Sequence, residues 1–70
     1  MACPGTIRRG ASGPTVVNLQ KRLGAAGWSV AVDGIFGSRT ESSVKGFQAA
    51  RGLQADGVVG PATWDALGAC

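Results

Sequence analysis

Two stretches decide the fold: Asp33-Gly34-Ile35-Phe36-Gly37-Ser38-Arg39-Thr40 and Asp56-Gly57-Val58-Val59-Gly60-Pro61-Ala62-Thr63. They keep Asp, two Gly and Thr at the same offsets, and each Thr is followed four residues later by an aliphatic side chain, Val44 or Leu67. Two copies of one pattern in 70 residues imply one supersecondary unit used twice. In each copy the aspartate accepts hydrogen bonds from amides just downstream, and Gly34 supplies a positive φ that a Cβ would penalise, so a tight turn is expected. Gly37 then falls where a helix N-cap belongs, with the Thr40 hydroxyl in the first turn and within reach of free amides.

Working outward, three helices follow. Upstream, Gly13-Pro14 marks a helix start, because proline at the first helical position gives up an amide that would be unpaired anyway. Val16, Leu19, Leu23 and Ala26 recur at spacings of three and four, placing them on one face with Asn18, Lys21 and Arg22 turned away. Gly27 is the expected stop. The second helix is predicted from about Ser38 to Arg51, with Val44, Phe47 and Ala50 inward, Arg39, Glu41 and Lys45 outward, and Gly52 as its stop. Pro61 repeats the start signal for a short last helix that turns Trp64 and Leu67 to the core. Val30 to Val32 and Leu53 to Ala55 read as short extended connections, expected to pair briefly at most. The fold class is all-α, a small orthogonal three-helix bundle with two repeated Asp-Gly-x-x-Gly turns, in which residues 1–12 form an extended N-terminal arm and 13–70 the domain.

A chain of this length supports one domain and one modest core, near the lower limit for offsetting its ordering entropy. Cys3 and Cys70 lie at the two ends, and a bridge between them would close nearly the whole chain into a loop, stabilising it by about 4 kcal/mol in the chain-entropy account. The alternative is two free thiols on frayed ends. A bridge would place the protein in an oxidising compartment, outside the cytoplasm. No run is apolar enough to span a membrane, so no membrane partner is expected. Five Arg and two Lys against three Asp and one Glu give a formal charge of +3, a mild attraction to polyanions. The basic residues are spread along the chain without interleaved aromatics, which argues against nucleic acid.

Little catalytic chemistry is available. The chain has no histidine, and two distant cysteines do not make a zinc site, so neither metal nor other cofactor is expected. Of the carboxylates, Asp33 and Asp56 are explained as turn residues, while Asp65 and Glu41 fall on predicted helix surfaces. This leaves no pair poised across a glycosidic bond, and no catalytic residue is assigned. One acid per loop is too few for an EF-hand-type calcium site. Gly34-x-x-Gly37 lacks the spacing and the Lys-Ser/Thr pair of a phosphate loop. The remaining candidates are surface binding residues. Trp28 either stacks on a sugar ring or plugs the gap beside the first helix, packing being the favoured reading, and Trp64 is read as core. Gln20, Arg39 and Arg51 are candidates to pair with carboxylates or amides of a ligand, although most surface arginines have no such role.

The series Val16-x-x-Leu19-Gln20-x-x-Leu23, Gly27-Trp28, Val32-Asp33-Gly34-x-Phe36-Gly37-x-x-Thr40-x-x-x-Val44-x-x-Phe47-Gln48, Gly52-Leu53 and Asp56-Gly57-x-Val59-Gly60-x-x-Thr63-Trp64-x-x-Leu67 resembles the peptidoglycan-binding domain of bacterial cell-wall hydrolases. The likeness runs over roughly residues 10 to 68, with Trp28 standing where the family more often has tyrosine. It implies a compact three-helix fold and a non-catalytic role, holding a fused or associated amidase, carboxypeptidase, transpeptidase or endolysin on the murein sacculus. Leu19, Val44, Phe47 and Trp64 carry over as core.

On that reading the ligand is peptidoglycan, held in a shallow groove between the first two helices. Gln20, Trp28, Asp33, Gly34, Phe36, Arg39 and Arg51 are the candidate contacts, and the loop from Asp33 to Gly37 lines the groove. The expected setting is extracellular or the cell wall, reached through an upstream signal or domain or by lysis, as with phage-encoded wall enzymes. A monomer is expected. The alternative is an interaction or inhibitory module that covers a partner wall enzyme, with Trp28 and its apolar connection as the docking patch.

Overall fold

The computed structural model describes residues 3–70. Helix α1 spans Pro14–Ala25, α2 Ser38–Ala50 and α3 Pro61–Ala66, and no strand longer than an isolated bridge occurs among the described residues. Each helix starts on a glycine, Gly13, Gly37 or Gly60, and prolines follow at the first position of α1 and α3. These caps have no side chain to offer an amide, and the Thr40 hydroxyl does not replace one. It accepts from Gln20 Nε2 at 3.2 Å instead, so its expected role on the helix amides is corrected to one in the preceding turn.

The three stops share one geometry. Gly27, Gly52 and Gly68 take φ of 91, 71 and 77°. The amides of the next residues, Trp28, Leu53 and Ala69, donate five positions back to the carbonyls of Leu23, Gln48 and Trp64 at 2.8, 2.8 and 3.0 Å. This is the Schellman arrangement, in which an achiral residue lets the chain fold back onto its last helical carbonyls.

The centre is built from Val16, Leu19 and Leu23 of α1, Val44 and Phe47 of α2 and Trp64 of α3, with Phe36 and Val59 supplied by the two turns. Each fully buried side chain of this kind contributes about 1.5–3 kcal/mol. Leu67 packs half-buried against this cluster. Two expected inward residues are exposed: Ala26 lies one residue past the end of α1, and Ala50 sits in the last turn of α2 on the solvent side.

The backbone pairing also differs from the expectation. Val30–Val32 and Leu53–Ala55 do not pair with each other; the partner of both turns is the chain ahead of α1. Ile7 and Val59 exchange backbone hydrogen bonds at 3.2 and 2.8 Å. Gly10 N–H donates to the Phe36 carbonyl, and Phe36 N–H donates to the Ala11 carbonyl, both at 2.9 Å. Residues 7–12 thus supply partners for amides and carbonyls that the two turns would otherwise leave open. Trp64 Nε1 donates to the Gly5 carbonyl at 3.1 Å, which satisfies the polar edge of a buried indole. A disulfide joins Cys3 to Cys70, with 4.4 Å between their Cα atoms.

Candidate functional site

The two Asp-Gly turns are held by two glutamines in the same way. Gln20 of α1 is fully buried. Its Nε2 donates to Asp33 Oδ1 at 2.9 Å, to the Ile35 carbonyl at 3.1 Å and to Thr40 Oγ1 at 3.2 Å, and its Oε1 accepts from Gly34 N–H at 2.9 Å. Gln48 of α2 repeats the set on Asp56 (3.3 Å), Val58 (2.9 Å), Thr63 (3.1 Å) and Gly57 N–H (3.0 Å). Each aspartate also accepts from the amide two residues on, Ile35 at 3.0 Å and Val58 at 2.9 Å. A glutamine on one helix therefore shapes the turn that launches the next helix. A carboxamide is suited to this because it offers donor and acceptor from one plane. The Ile35 amide, followed by the Gln20 side chain, holds the Asp33 carboxyl below the usual carboxylate range, since both donate to the charged form.

On the outer side of the first turn lies an open cleft of about 240 Å³, lined by Val30, Ala31, Asp33, Ile35, Gly37, Ser38, Arg39 and Thr40. Ile35 is 60% exposed and nearby Val32 50%, the two large apolar side chains most open to solvent among the described residues. Arg39 is exposed and joins no ion pair among the described residues, whereas Arg9 and Lys45 both approach Glu41, at 3.7 and 4.0 Å. The cleft thus combines an apolar wall, a structurally committed carboxylate and a guanidinium with its donors open for a carboxylate or amide.

Of the seven candidate contacts, Asp33 and Arg39 line this cleft. Gln20 and Gly34 lie behind it, buried in the turn network. Phe36, at 1% exposed, belongs to the core, and its candidacy as a contact is corrected: in an extended turn neighbouring side chains point to opposite sides, so Phe36 inward puts Ile35 outward. Trp28 is half-buried against α2 at Gly46 and is absent from the cleft lining. Arg51 also lies outside the lining, its guanidinium 5.2 Å from the centre of the Phe47 ring.

Sequence reasoning missed Ile35, Val30, Ala31 and Ser38. It also missed a second cleft of about 220 Å³ beside the second turn, lined by Gln48, Leu53, Gln54, Asp56, Val58, Gly60, Pro61, Ala62 and Thr63. A third and larger depression, about 650 Å³, runs over Thr6 to Ala11 and Val58. No cluster of three or more His, Cys, Asp or Glu is arranged for a metal among the described residues, and none of their helices is long and apolar enough to cross a membrane.

A three-helix unit with two glutamine-clamped turns and a shallow, partly cationic cleft defines a small binding domain. The chain belongs to the peptidoglycan-binding domain family: residues 12–67 match the family model described as "Putative peptidoglycan binding domain". It is 44% identical over 66 residues to a zinc D-Ala-D-Ala carboxypeptidase of Streptomyces albus G, covering 90% of this chain and 26% of that protein. It is 48% identical over 69 residues to the N-acetylmuramoyl-L-alanine amidase CwlL of Bacillus licheniformis, covering 93% and 19% respectively. Among solved structures, a peptidoglycan-binding protein from Clostridioides difficile in complex with glutamine hydroxamate superposes with a TM-score of 0.91 at 46% identity, covering 97% of this chain and 43% of that one. The chain thus spans about a quarter or less of the length of these two curated relatives.

Proposed function

We propose that this domain is a non-catalytic wall-binding module that holds a fused or associated hydrolase on peptidoglycan outside the cell, and that it does so as a monomer. The observation that carries the reading is the first cleft, whose lining holds exposed Ile35 together with Arg39, which joins no ion pair among the described residues. Peptidoglycan presents carboxylates on its stem peptides next to methyl groups of alanine, lactyl and acetyl units, which complement a guanidinium set against an apolar wall. The carboxylates favour binding over cutting. Asp33 and Asp56 are committed to their turns, Glu41 faces Arg9 and Lys45, and Asp65 is exposed on α3. An open cleft implies modest affinity per site. The benefit to an attached enzyme is effective concentration on the polymer.

Co-sedimentation with purified sacculi tests this. The domain is expected in the pellet at low salt, with Arg39→Glu shifted to the supernatant and no soluble fragment released from the wall. Wild-type protein left wholly in the supernatant would refute the reading, and release of muropeptides would refute its non-catalytic part.

A further inference from the structure

The two clefts are built from the same positions. Asp33, Ile35, Gly37 and Thr40 of the first correspond by offset to Asp56, Val58, Gly60 and Thr63 of the second, and their volumes are close, about 240 and 220 Å³. They are joined by the segment that pairs with both turns. Ile7 bridges to Val59 and Ser12 to Ile35. The five steps between them reach no more than about 18 Å. Val58 lines both the second cleft and the depression over Thr6 to Ala11. The depression with exposed Arg8 and Arg9 thus adjoins the second cleft at Val58, and the segment that lines it continues to Ser12, which bridges Ile35 of the first cleft.

We propose that the domain grips one peptidoglycan strand at both clefts simultaneously, consecutive disaccharide-peptide units occupying the two turns and the glycan that links them directly lying along the chain between Ile7 and Ser12. The inference rests on the wall-binding reading above and adds the stoichiometry and polarity of that site. A duplicated receptor suits a repeating ligand, because once one unit is held the next binds as an intramolecular event. The two halves are not identical. Where the first cleft has Ser38 and Arg39, the second has Pro61 and Ala62. The first cleft takes the unit through its carboxylate, the second takes its neighbour by apolar contact, and this difference gives the bound strand a direction.

The test uses two defined probes, a monomeric muropeptide (one disaccharide with its stem peptide) and the glycosidically linked dimer. Amide shifts of the ¹⁵N-labelled domain are followed on titration. The monomer is expected to perturb amides in both 33–40 and 56–63, and the dimer to bind at least about tenfold more tightly. Arg39→Glu and Ala62→Glu, both at exposed positions, are each expected to return the dimer to about the monomer's affinity without lowering the melting temperature. Perturbation confined to one turn, a dimer no tighter than the monomer, or an Ala62→Glu variant with undiminished dimer affinity would overturn the two-cleft proposal. If sacculi still sediment the domain in that case, wall binding stands and only the second cleft falls; if neither probe nor sacculi bind, both readings fall together.

Discussion

Trp28 packs over Gly46 so closely that a Cβ at position 46 would lie 2.5 Å from Cζ3 of the indole and 2.9 Å from Cη2. Gly46 sits inside α2, where intrinsic propensity favours alanine by about 1 kcal/mol. Propensity and packing thus predict opposite signs for Gly46→Ala. Contact at 2.5 Å forces the ring off its present place over the helix, so the variant is expected to melt lower than wild type, with red-shifted tryptophan emission as Trp28 moves outward. A raised melting temperature would show that the indole is not held there.

Gln20 and Gln48 are predicted to be the most sensitive polar side chains. Replacing either by alanine strands a glycine amide, and the neighbouring threonine and aspartate lose their shared donor. Leaving such buried groups unmade costs about 1–3 kcal/mol, read by urea unfolding. Gln20→Glu, nearly the same shape, puts an anion beside Asp33 and is expected to cost at least as much as alanine. A neutral result would mean the clamp is filled by size alone.

Loss of the disulfide, by reduction or by Cys3→Ser with Cys70→Ser, should lower stability by about 2–4 kcal/mol. For a domain of this size each kcal/mol moves the melting temperature by about 4–8 °C. The Ile7–Val59 pairing and the Trp64–Gly5 hydrogen bond remain, so the reduced protein is expected to stay folded at 25 °C with its near-ultraviolet dichroism retained.

Acid should act through Asp33. Its folded pKa lies below the ordinary value of 3.8, so the unfolded chain takes up the proton first. The resulting stabilisation is complete above that ordinary value and disappears as pH falls through the lower folded one. Asp33→Asn keeps an acceptor for the Ile35 amide but removes the charge. Its unfolding free energy should therefore fall less steeply than wild type below about pH 4.

Helix positions, starts and stops were legible because each rests on local chemistry: proline after glycine at Pro14 and Pro61, glycine after the last apolar residue at Gly27 and Gly52, and the inward stripe of Val16, Leu19 and Leu23. The glutamine clamps were half-visible. Val16-x-x-Leu19-Gln20 and Val44-x-x-Phe47-Gln48 align with each other, but Gln20 stands 13 residues before Asp33 and Gln48 only 8 before Asp56, so the fixed offset of the turns does not carry back to the glutamines. A polar residue beside the apolar stripe, however, reads as surface until its four partners are brought around it by tertiary contact. Residues 7–12 carry no periodicity, and their place follows from open backbone groups on turns some 25 to 50 residues away, which no local pattern encodes. The sequence places a groove between the first two helices along Asp33 to Gly37, whereas the cleft at that loop has no α1 residue in its lining, and Ile35 faces out while Phe36 faces in because only packing decides which of two adjacent apolar residues turns to the core.

The bond between Cys3 and Cys70 also determines how the domain bears load. Tension applied through whatever chain lies beyond these two cysteines passes from sulfur to sulfur and leaves α1, α2 and α3 unstretched. Polypeptide attached on either side would depart from the same pole, so a pull between two such attachments bypasses the helices and both turns.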